Sequence, residues 1–454
     1  MPRTTQTAIL SVLLALCFAC SSDSLIKDKL ELPATITPSS NDVRAEKKKP
    51  CHFYGKVNAT GDGYCPAKEV LLYTEGIRIM RNGKEFRIYG MDVDHHPLLN
   101  KPDKSSADSP YETLFTPDDM DFFAENGFNL VPLHNILMEE MIDGEGNINE
   151  AFFRNWIDVW VKWATQRKLY ISIGMSSFFV PDMTWGVYPM PQWLADDYGG
   201  KPEGANWREQ MRTITHGFYG LDKRSQGKRE VYYQLWKYIA NRYKHNPFVL
   251  YAPTNEPLHH TFQDFNPDES YWHKLARAYT NTMTQLIDHI REGEKGGLEK
   301  LVFVDRAYFK EGTFVDYQLP IERDNIVWEY HAYTDASDLS EWGSLAWWKN
   351  QVREGRDFFH AWNKPVHVGE WSTHNTVSPG FWEIERAYRE EGGWKYIHKA
   401  QAQWLRQMKV SHSWFHYTQT AGEYWNVIKK RDGQRVLTQA ESDFIFATLR
   451  NHSR

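Results

Sequence analysis

Two short apolar runs of the chain each lead into a carboxylate. Residues 248–257 read FVLYAPTNEP, and residues 365–371 read PVHVGEW. A charged side chain at the end of a buried strand costs free energy unless it is paired or belongs to a functional site. We therefore expect Glu256 and Glu370 to lie at such a site, each at the end of a strand.

Similar apolar runs recur along the chain and alternate with helical patterns. Eight runs have the length of single strands, at residues 86–91, 129–133, 169–174, 248–254, 301–304, 326–331, 366–370 and 413–417. Strands that alternate with helices favour parallel pairing, and eight such units predict an α/β fold, the (β/α)8 TIM barrel. An open doubly wound sheet is the competing fold, but no glycine-rich phosphate loop follows any of these runs. In a barrel, Glu256 and Glu370 would end the fourth and seventh strands and face one cleft.

Local signals refine this fold. Asn82 and Gly83 lie between two strand-like runs and predict an N-terminal β-hairpin, because both residue types tolerate positive φ. Apolar residues at every fourth position from Phe152 to Ala164 predict a helix, with Asn149 at its N-cap. A long loop is expected after the third strand, between residues 174 and 229. Such loops lie on the active face of a barrel, and the aromatic residues in this one that could line the cleft are Trp185, Tyr188, Trp193 and Trp207.

The N-terminal segment has the pattern of an export signal. Arg3 precedes an apolar stretch that is too short to span a membrane and ends near Cys20. Residues 18–24 resemble a bacterial lipoprotein processing site, so we expect residues 1–20 to be the signal and Cys20 to be lipidated; secretion after a nearby cut is the alternative. The polar residues 21–50 predict a flexible tether, and residues 51–450 a single barrel domain. The protein would be an outer-membrane or cell-surface lipoprotein, or periplasmic or secreted, and would meet the membrane only through its N-terminal lipid anchor.

The composition of the chain indicates which kinds of ligand it binds, and its cysteines indicate a disulfide. The formal net charge is −6, from 53 basic and 59 acidic residues, which implies no broad basic face for nucleic acid. Aromatic residues make up 15% of the chain, and their flat rings suit sugars as well as cores. Cys51 and Cys65 form an even pair in an oxidising compartment, so we expect a disulfide between them. We expect a monomer.

Several motifs lie at or beside predicted strands. They are Asn255-Glu256-Pro257 on the fourth strand, Gly369-Glu370-Trp371 on the seventh, His331-Ala332-Tyr333 on the sixth, Gly127-Phe128-Asn129 entering the second, and Trp414 on the eighth. Together they resemble glycoside hydrolase clan A, and most closely its family 5, over about residues 70–447. The combination and its order are more specific than any one motif.

The resemblance implies a TIM-barrel hydrolase that cleaves a β-linked carbohydrate with retention and needs no metal or other cofactor. Glu256 would be the acid/base and Glu370 the nucleophile of a double displacement. The residues expected to bind the substrate are Asn255, His331, Tyr333, His134, Trp371, Trp414 and Tyr417.

The resemblance also implies roles for some of these residues. Asn255 would hydrogen-bond the sugar 2-hydroxyl, a contact that strengthens in the transition state. Tyr333 would hydrogen-bond Glu370, and His331 would hold the acid or the sugar. Trp414 would form a stacking floor for the sugar ring; an ordinary core position is the alternative.

The chain departs from the family pattern at several strand ends. Family 5 usually has an arginine on the second strand that supports the nucleophile, and Pro132 stands in its place. His134 or Arg306 would replace it, although Arg306 could equally form a surface salt bridge. The third strand lacks the usual histidine pair, and Tyr417 lies near the place of a second tryptophan. These departures leave the substrate open.

Two other functional classes compete with this interpretation. The missing arginine motivates a non-catalytic, surface-anchored glycan-binding barrel, although a pure binder has no need of both glutamates. Histidine and aspartate clusters at residues 92–96 and 259–260 motivate a metal-dependent hydrolase, although sugar hydrogen bonding or loop packing explains them equally. Within the hydrolase class, β-glucans and β-mannans are the expected substrates by family analogy.

Overall fold

The structure is a computed structural model that describes residues 52–53, 56–57, 69–93, 117–175, 190–201, 206–258, 265–308, 317–333, 345–372, 393–418, 427–428 and 439–452. These residues belong to one compact unit, Lys49–Arg454. The predicted signal and tether, the lipidation site Cys20 and the pair Cys51 and Cys65 lie outside the described residues, and those predictions stay predictions. Trp185 and Tyr188 also lie outside them.

Five short strands precede the barrel. Strands β1 (His52–Phe53) and β2 (Lys56–Val57) form an antiparallel pair. Strands β3 (Leu72–Glu75), β4 (Arg78–Arg81) and β5 (Lys84–Glu85) form an antiparallel sheet. Asn82 and Gly83 form the turn between β4 and β5 with φ of 49° and 73°, as the sequence predicts for a hairpin. The sequence did not predict β3, which extends the hairpin to three strands.

Eight parallel strands then close into a barrel, which confirms the predicted fold. The barrel strands are β6 (Tyr89–Val93), β7 (Leu130–Ile136), β8 (Tyr170–Met175), β9 (Val249–Ala252), β10 (Val302–Asp305), β11 (Ile326–Tyr333), β12 (Val366–Ser372) and β13 (Ser411–Thr418). Each strand pairs with the next, and β13 pairs with β6 to close the ring. A last short strand, β14 (Val427–Ile428), pairs with β13 outside the ring.

Helices surround the barrel in the expected alternation. The α-helices are Pro117–Glu125, Met138–Met141, Glu150–Phe152, Asp158–Gln166, Gln192–Ala195, Trp207–His216, Gln226–Tyr243, Glu269–Gly293, Leu345–Ala361, Gly393–Met408 and Gln439–His452. Tighter or wider turns lie at Phe153–Ile157, Asp196–Tyr198, Gly217–Leu221 and Lys223–Ser225. None of the described helices combines the length and the apolar character needed to cross a bilayer.

The helix before β8 forms as its sequence predicts. The side chain of Asn149 caps it by accepting the Phe152 N–H at 3.1 Å. Phe152, Trp156, Trp160 and Ala164 are all buried, so the apolar face packs on the barrel. This apolar packing holds the helix against the barrel beside β8.

The connection after β8 contains more helix than the sequence indicates. Helix Trp207–His216 buries Met211 and Ile214, three residues apart, on one face. Trp193 and Trp207 are half-buried and pack against the main core. Trp193 crowds the position that a side chain at Gly144 would need, and the Lys228 Nζ lies 5.5 Å from its ring centroid. We therefore assign Trp193 to packing of this segment onto the barrel.

The N-terminal sheet covers the end of the barrel opposite the strands' carboxyl ends. A separate apolar cluster joins Leu72 and Ile79 of this sheet to residues inside the barrel such as Leu250 and Phe303. The Thr74 N–H donates to Asn325 Oδ1 at 2.9 Å, one residue before β11 begins. This end is therefore filled with apolar side chains, which leaves the opposite end for chemistry.

Candidate active site

Glu256 lies just past β9, where the chain leaves the sheet. Pro253 follows the last strand residue, Ala252, and has no N–H to continue the ladder. The backbone of Glu256 lies in the left-handed region with φ of 44°, a conformation that costs a non-glycine residue about 1 kcal/mol or more. Its N–H donates to Asp305 Oδ2 at 2.6 Å, which holds the turn. The Glu256 side chain is 17% exposed, so its carboxylate is accessible.

Glu370 lies in β12, and a β-bulge turns it toward the barrel interior. Val368 pairs with Tyr330 and Glu370 pairs with His331, so Gly369 is an extra residue in the ladder. Val368 packs in the outer core between strands and helices. The Glu370 side chain is nearly buried.

Gly369 is needed because another side chain occupies the space beside it. A Cβ at this position would lie 2.4 Å from the Cδ of Glu329. Glu329 cannot retreat easily, because it is buried and Oε2 is 2.6 Å from His367 Nδ1, whose other nitrogen lies 3.1 Å from Ser413 Oγ. This buried network forms the layer of the barrel beneath the site.

We expect Gly369→Ala to lower the free energy of unfolding by about 1–3 kcal/mol, the usual effect of overpacking a core. The shift would also move Glu370, so kcat should fall. Urea unfolding and initial rates measure the two effects. Gly227→Ala is the matched control, because nothing lies within 4 Å of the added methyl group. Equal behaviour of the two variants would contradict the assigned role of Gly369.

His331 and Tyr333, both on β11, join the two glutamates. His331 Nδ1 lies 2.8 Å from Glu256 Oε1 and 3.4 Å from Glu370 Oε2. The Tyr333 hydroxyl donates a short hydrogen bond to Glu370 Oε2. One oxygen from each glutamate and one ring nitrogen of His331 all lie within 4.8 Å of one another. The structure thus brings together the predicted catalytic pair and two of the predicted binding residues.

The charges around His331 decide its protonation. Burial alone would lower the pKa of the ring, but the carboxylates of Glu370, Asp305 and Glu256 outweigh it and raise that pKa well above its ordinary value. Burial, followed by the nearby Glu370 charge, raises the pKa of Tyr333 well above its usual range. At neutral pH the site therefore holds a charged imidazole and a neutral phenol.

Asn255 offers an acceptor beside the pair. Its Oδ1 is buried and has no hydrogen-bond partner within the described ranges. A buried carbonyl oxygen without a partner is costly, which is consistent with a ligand group that completes it. The expected hydrogen bond from Asn255 to the sugar 2-hydroxyl stays a prediction.

Three aromatic residues predicted to bind the substrate lie in the outer core instead. Trp371 and Trp414 are 0% and 1% exposed and contact each other edge to face. The Trp371 Nε1–H donates to His412 Nδ1 at 3.0 Å. Tyr417 is 2% exposed and its hydroxyl donates to Asp119 Oδ1 at 2.8 Å, toward helix Pro117–Glu125. This placement corrects the expectation that these rings contact the sugar.

The inward-facing ring of β13 is Phe415, which the sequence analysis missed. Ser413 faces inward against His367, and Trp414 faces outward. Phe415 is half-buried, and its ring contacts that of Tyr333 edge to face at 6.1 Å. Alternation along the strand from Ser413 would have indicated it.

Of the two side chains expected to replace the family arginine, the structure describes that of Arg306 and not that of His134. The side chain of His134 lies outside the described residues, although its backbone belongs to β7. Pro132 is buried in the same strand. The guanidinium of Arg306 lies 4.3 Å from the ring centroid of Tyr308, whose N–H donates to the Pro257 carbonyl at 2.9 Å. Arg306 therefore lies on the Glu256 side of the site.

Asp305 is a site residue that the sequence analysis overlooked. It is fully buried at the end of β10. Burial raises the pKa of Asp305 above its ordinary value, and the opposing charge of His331 limits that rise. The signal was present, because Asp305 directly follows the apolar run at residues 301–304.

Ligand atoms of Glu256, His331 and Glu370 lie close enough together to hold a metal ion. The double displacement expected of the two glutamates needs no metal, so we assign none to them. Asp92, from the cluster at residues 92–96, is buried at the end of β6. Residues 94–96 and 259–260 lie outside the described residues. The prediction that no metal or other cofactor is needed stays a prediction.

Comparisons with known proteins agree with this geometry. The family model described as Cellulase (glycosyl hydrolase family 5) matches residues 81–421, more than half of the chain. No curated protein sequence matches the chain significantly.

Solved structures with the same fold have low sequence identity to this chain. An endogalactoceramidase has a TM-score of 0.58 and 17% identity, with 84% of each chain covered. Endo-glycoceramidase II from Rhodococcus sp. has a TM-score of 0.55 and 15% identity, with 80% of this chain and 79% of that chain covered. The endoglucanase Cel5A from Pseudomonas stutzeri has a TM-score of 0.52 and 14% identity, with 81% and 94% covered. At these identities the likeness shows the fold alone.

Proposed function

Because the chain belongs to glycoside hydrolase family 5, we propose that it cleaves a β-linked oligosaccharide or polysaccharide with retention of anomeric configuration. One observation carries the proposal: oxygens of Glu256 and Glu370 lie within 4.8 Å of each other. Retaining enzymes hold their two carboxyl groups ~5–5.5 Å apart, whereas inverting enzymes need ~6.5–9.5 Å to admit a water. The observed spacing favours direct attack by a carboxylate.

In the first step Glu370 attacks the anomeric carbon and forms a glycosyl ester. Glu256 donates its proton to the glycosidic oxygen as the carbon–oxygen bond breaks, and the leaving sugar departs as an alcohol. Glu370 is the better nucleophile because it is nearly buried and one oxygen is oriented by the Tyr333 hydroxyl. The more exposed Glu256 can meet the leaving group.

In the second step Glu256, now a carboxylate, removes a proton from water. The water oxygen attacks the anomeric carbon, the ester bond breaks, and Glu370 leaves as a carboxylate. His331 Nδ1, 2.8 Å from Glu256 and 3.4 Å from Glu370, can stabilise negative charge on whichever glutamate carries it. One cation thus serves both steps.

The expected substrates are β-glucans and β-mannans, by family analogy. The structural neighbours named as an endogalactoceramidase and an endo-glycoceramidase add glycolipids to the substrates worth testing. Product analysis on β-glucan, β-mannan and glycolipid substrates would identify the glycan and separate endo from exo cleavage.

A 2-deoxy-2-fluoro glycoside tests the mechanism directly. The fluorine slows hydrolysis of the glycosyl ester, so the intermediate should accumulate on the enzyme. We expect mass spectrometry to find the sugar on the peptide that contains Glu370, and no label on a Glu370→Gln variant. Binding of glycan without any covalent label would favour the non-catalytic glycan-binding barrel.

Phe415 is expected to form part of the sugar platform. Phe415→Ala should raise KM about 5- to 10-fold, because a ring contact contributes about 1 kcal/mol. Trp414→Phe is the matched control, and since Trp414 is buried it should lower Tm while KM stays unchanged. Steady-state kinetics and thermal unfolding measure both variants. A KM that rises in Trp414→Phe and not in Phe415→Ala would reverse the assignment.

A further inference from the structure

A third carboxylate that ends a strand, Asp305, lies against the catalytic pair. Its Oδ2 accepts the Glu256 N–H at 2.6 Å and lies 3.8 Å from His331 Nε2. Neither Asp305 Oδ1 nor His331 Nε2 has a hydrogen-bond partner among the described residues. A buried carboxylate with so few hydrogen bonds is costly. The positive charge of the His331 ring beside it can offset this cost.

We infer that Asp305 is a positioning residue: it fixes the backbone that presents Glu256 and keeps His331 charged between the two glutamates. The inference rests on the proposed function of Glu256 and Glu370, and it adds a residue that acts on them without touching substrate.

The geometry of the imidazole supports the electrostatic part. Nδ1 faces Glu256 and Glu370, while Nε2 faces Asp305. A neutral ring carries a proton on one nitrogen only and would present a lone pair to a carboxylate on its other side. A ring protonated on both nitrogens presents an N–H to each side. Glu370 on the Nδ1 side and Asp305 on the Nε2 side thus favour the imidazolium even while Glu256 holds the proton that it donates in the first step.

The backbone at Glu256 supports the positioning part. Its left-handed φ of 44° is unfavourable for a residue with a side chain, so something must hold it. The 2.6 Å bond from the Glu256 N–H to Asp305 Oδ2 is a charge-assisted hydrogen bond, which is roughly twice as strong as a neutral one. The same carboxylate therefore orients Glu256 through its backbone and stabilises the positive charge on His331.

Other charged and titratable groups surround this pair. Those that face Asp305 or His331 are Glu256, Glu329, Glu370, Tyr219, Tyr279 and Tyr308, and Arg306 is next in the chain. Burial raises the pKa of each of these tyrosines, so they are neutral at the pH of an assay. Arg306 stacks on Tyr308. The ring of His331 lies within 4 Å of oxygens of Glu256, Asp305 and Glu370.

The test compares Asp305→Asn with the wild type by two measurements. The amide keeps the size of Asp305 and an oxygen that can accept the Glu256 N–H, but it removes the charge. With ¹⁵N-labelled histidine, and His331→Gln to assign the signal, we expect His331 to lose its proton about one pH unit or more lower. The alkaline limb of the kcat/KM profile should move in the same direction, with KM changed less than about twofold.

Two further variants keep the test decisive. Asp119→Asn neutralises another buried aspartate, whose Oδ1 accepts the Tyr417 hydroxyl at the helix face of the barrel, and should leave both profiles unchanged. Asp305→Ala also removes the acceptor for Glu256, so its kcat should fall below that of Asp305→Asn. If His331 titrates identically in Asp305→Asn and the wild type, the inference is wrong. The titration is readable without turnover, so failure of the proposed hydrolysis would be recognised separately.

Discussion

Replacing Glu370 by Gln should lower kcat by about 10⁴-fold or more, as expected when a covalent nucleophile is removed. The amide is nearly the same size, so the fold and the hydrogen bond from the Tyr333 hydroxyl can persist. What is lost is the negative charge that attacks the anomeric carbon and forms the ester. Initial rates on the best glycan, together with circular dichroism to confirm folding, measure the effect.

The matched control for this variant is Glu269→Gln. Glu269 is 78% exposed at the start of helix Glu269–Gly293, far from any contact with the site that the structure describes. It makes the same chemical change and should leave kcat and KM unchanged. Glu370→Gln with activity near that of Glu269→Gln would remove Glu370 from its role as nucleophile.

Glu256→Gln should lower the rate on natural glycans by about 10²–10⁴-fold, the usual contribution of general acid–base catalysis. The loss should be smaller for the first step of an aryl glycoside, because a phenolate leaves without protonation. The ester on Glu370 should then accumulate, since no base activates water. A burst of released phenol followed by slow turnover is the expected kinetic signature.

Rescue by azide distinguishes the acid/base role of Glu256 from a structural role. As a small anion it can attack the anomeric carbon of the ester without base assistance, releasing Glu370 and forming a glycosyl azide. We expect azide to restore turnover in Glu256→Gln and not in Glu370→Gln. A Glu256→Gln enzyme that hydrolyses natural glycans at the wild-type rate would contradict the acid/base role.

The barrel and its catalytic pair could be predicted because both depend on local signals. Each predicted strand overlaps an observed one, since a parallel strand buried on both faces is a continuous apolar run. Glu256 and Glu370 stand out because each is a carboxylate at the end of such a run. The same rule applied to residues 301–304 would have found Asp305, so that omission was avoidable.

Which aromatic side chains face the site was harder to predict than the strands and the catalytic pair. The ladder between β13 and β6 changes register between Trp414 and Tyr417, and that between β12 and β13 changes between Val368 and Trp371. The irregularity in β13 lets Trp414 and Tyr417 both face outward although they are three residues apart, so alternation indicates Phe415 but misplaces Tyr417. The family motif indicated Trp414, whereas the strand turns Phe415 inward. The strand Leu72–Glu75 was missed for a different reason, because its four residues carry little apolar pattern.

The closure of the barrel has a consequence for the chain as it is synthesised. The Ile88 N–H, just before β6, donates to Ser411 Oγ at 3.1 Å, across 323 residues of sequence. At ribosomal rates of about 5–20 residues per second, the open side of β6 waits roughly 15 s to a minute for its neighbour. An unpaired strand edge is a template for aggregation during that interval. We therefore expect a product that stops before residue 411 to aggregate, because its β6 edge stays unpaired on that side.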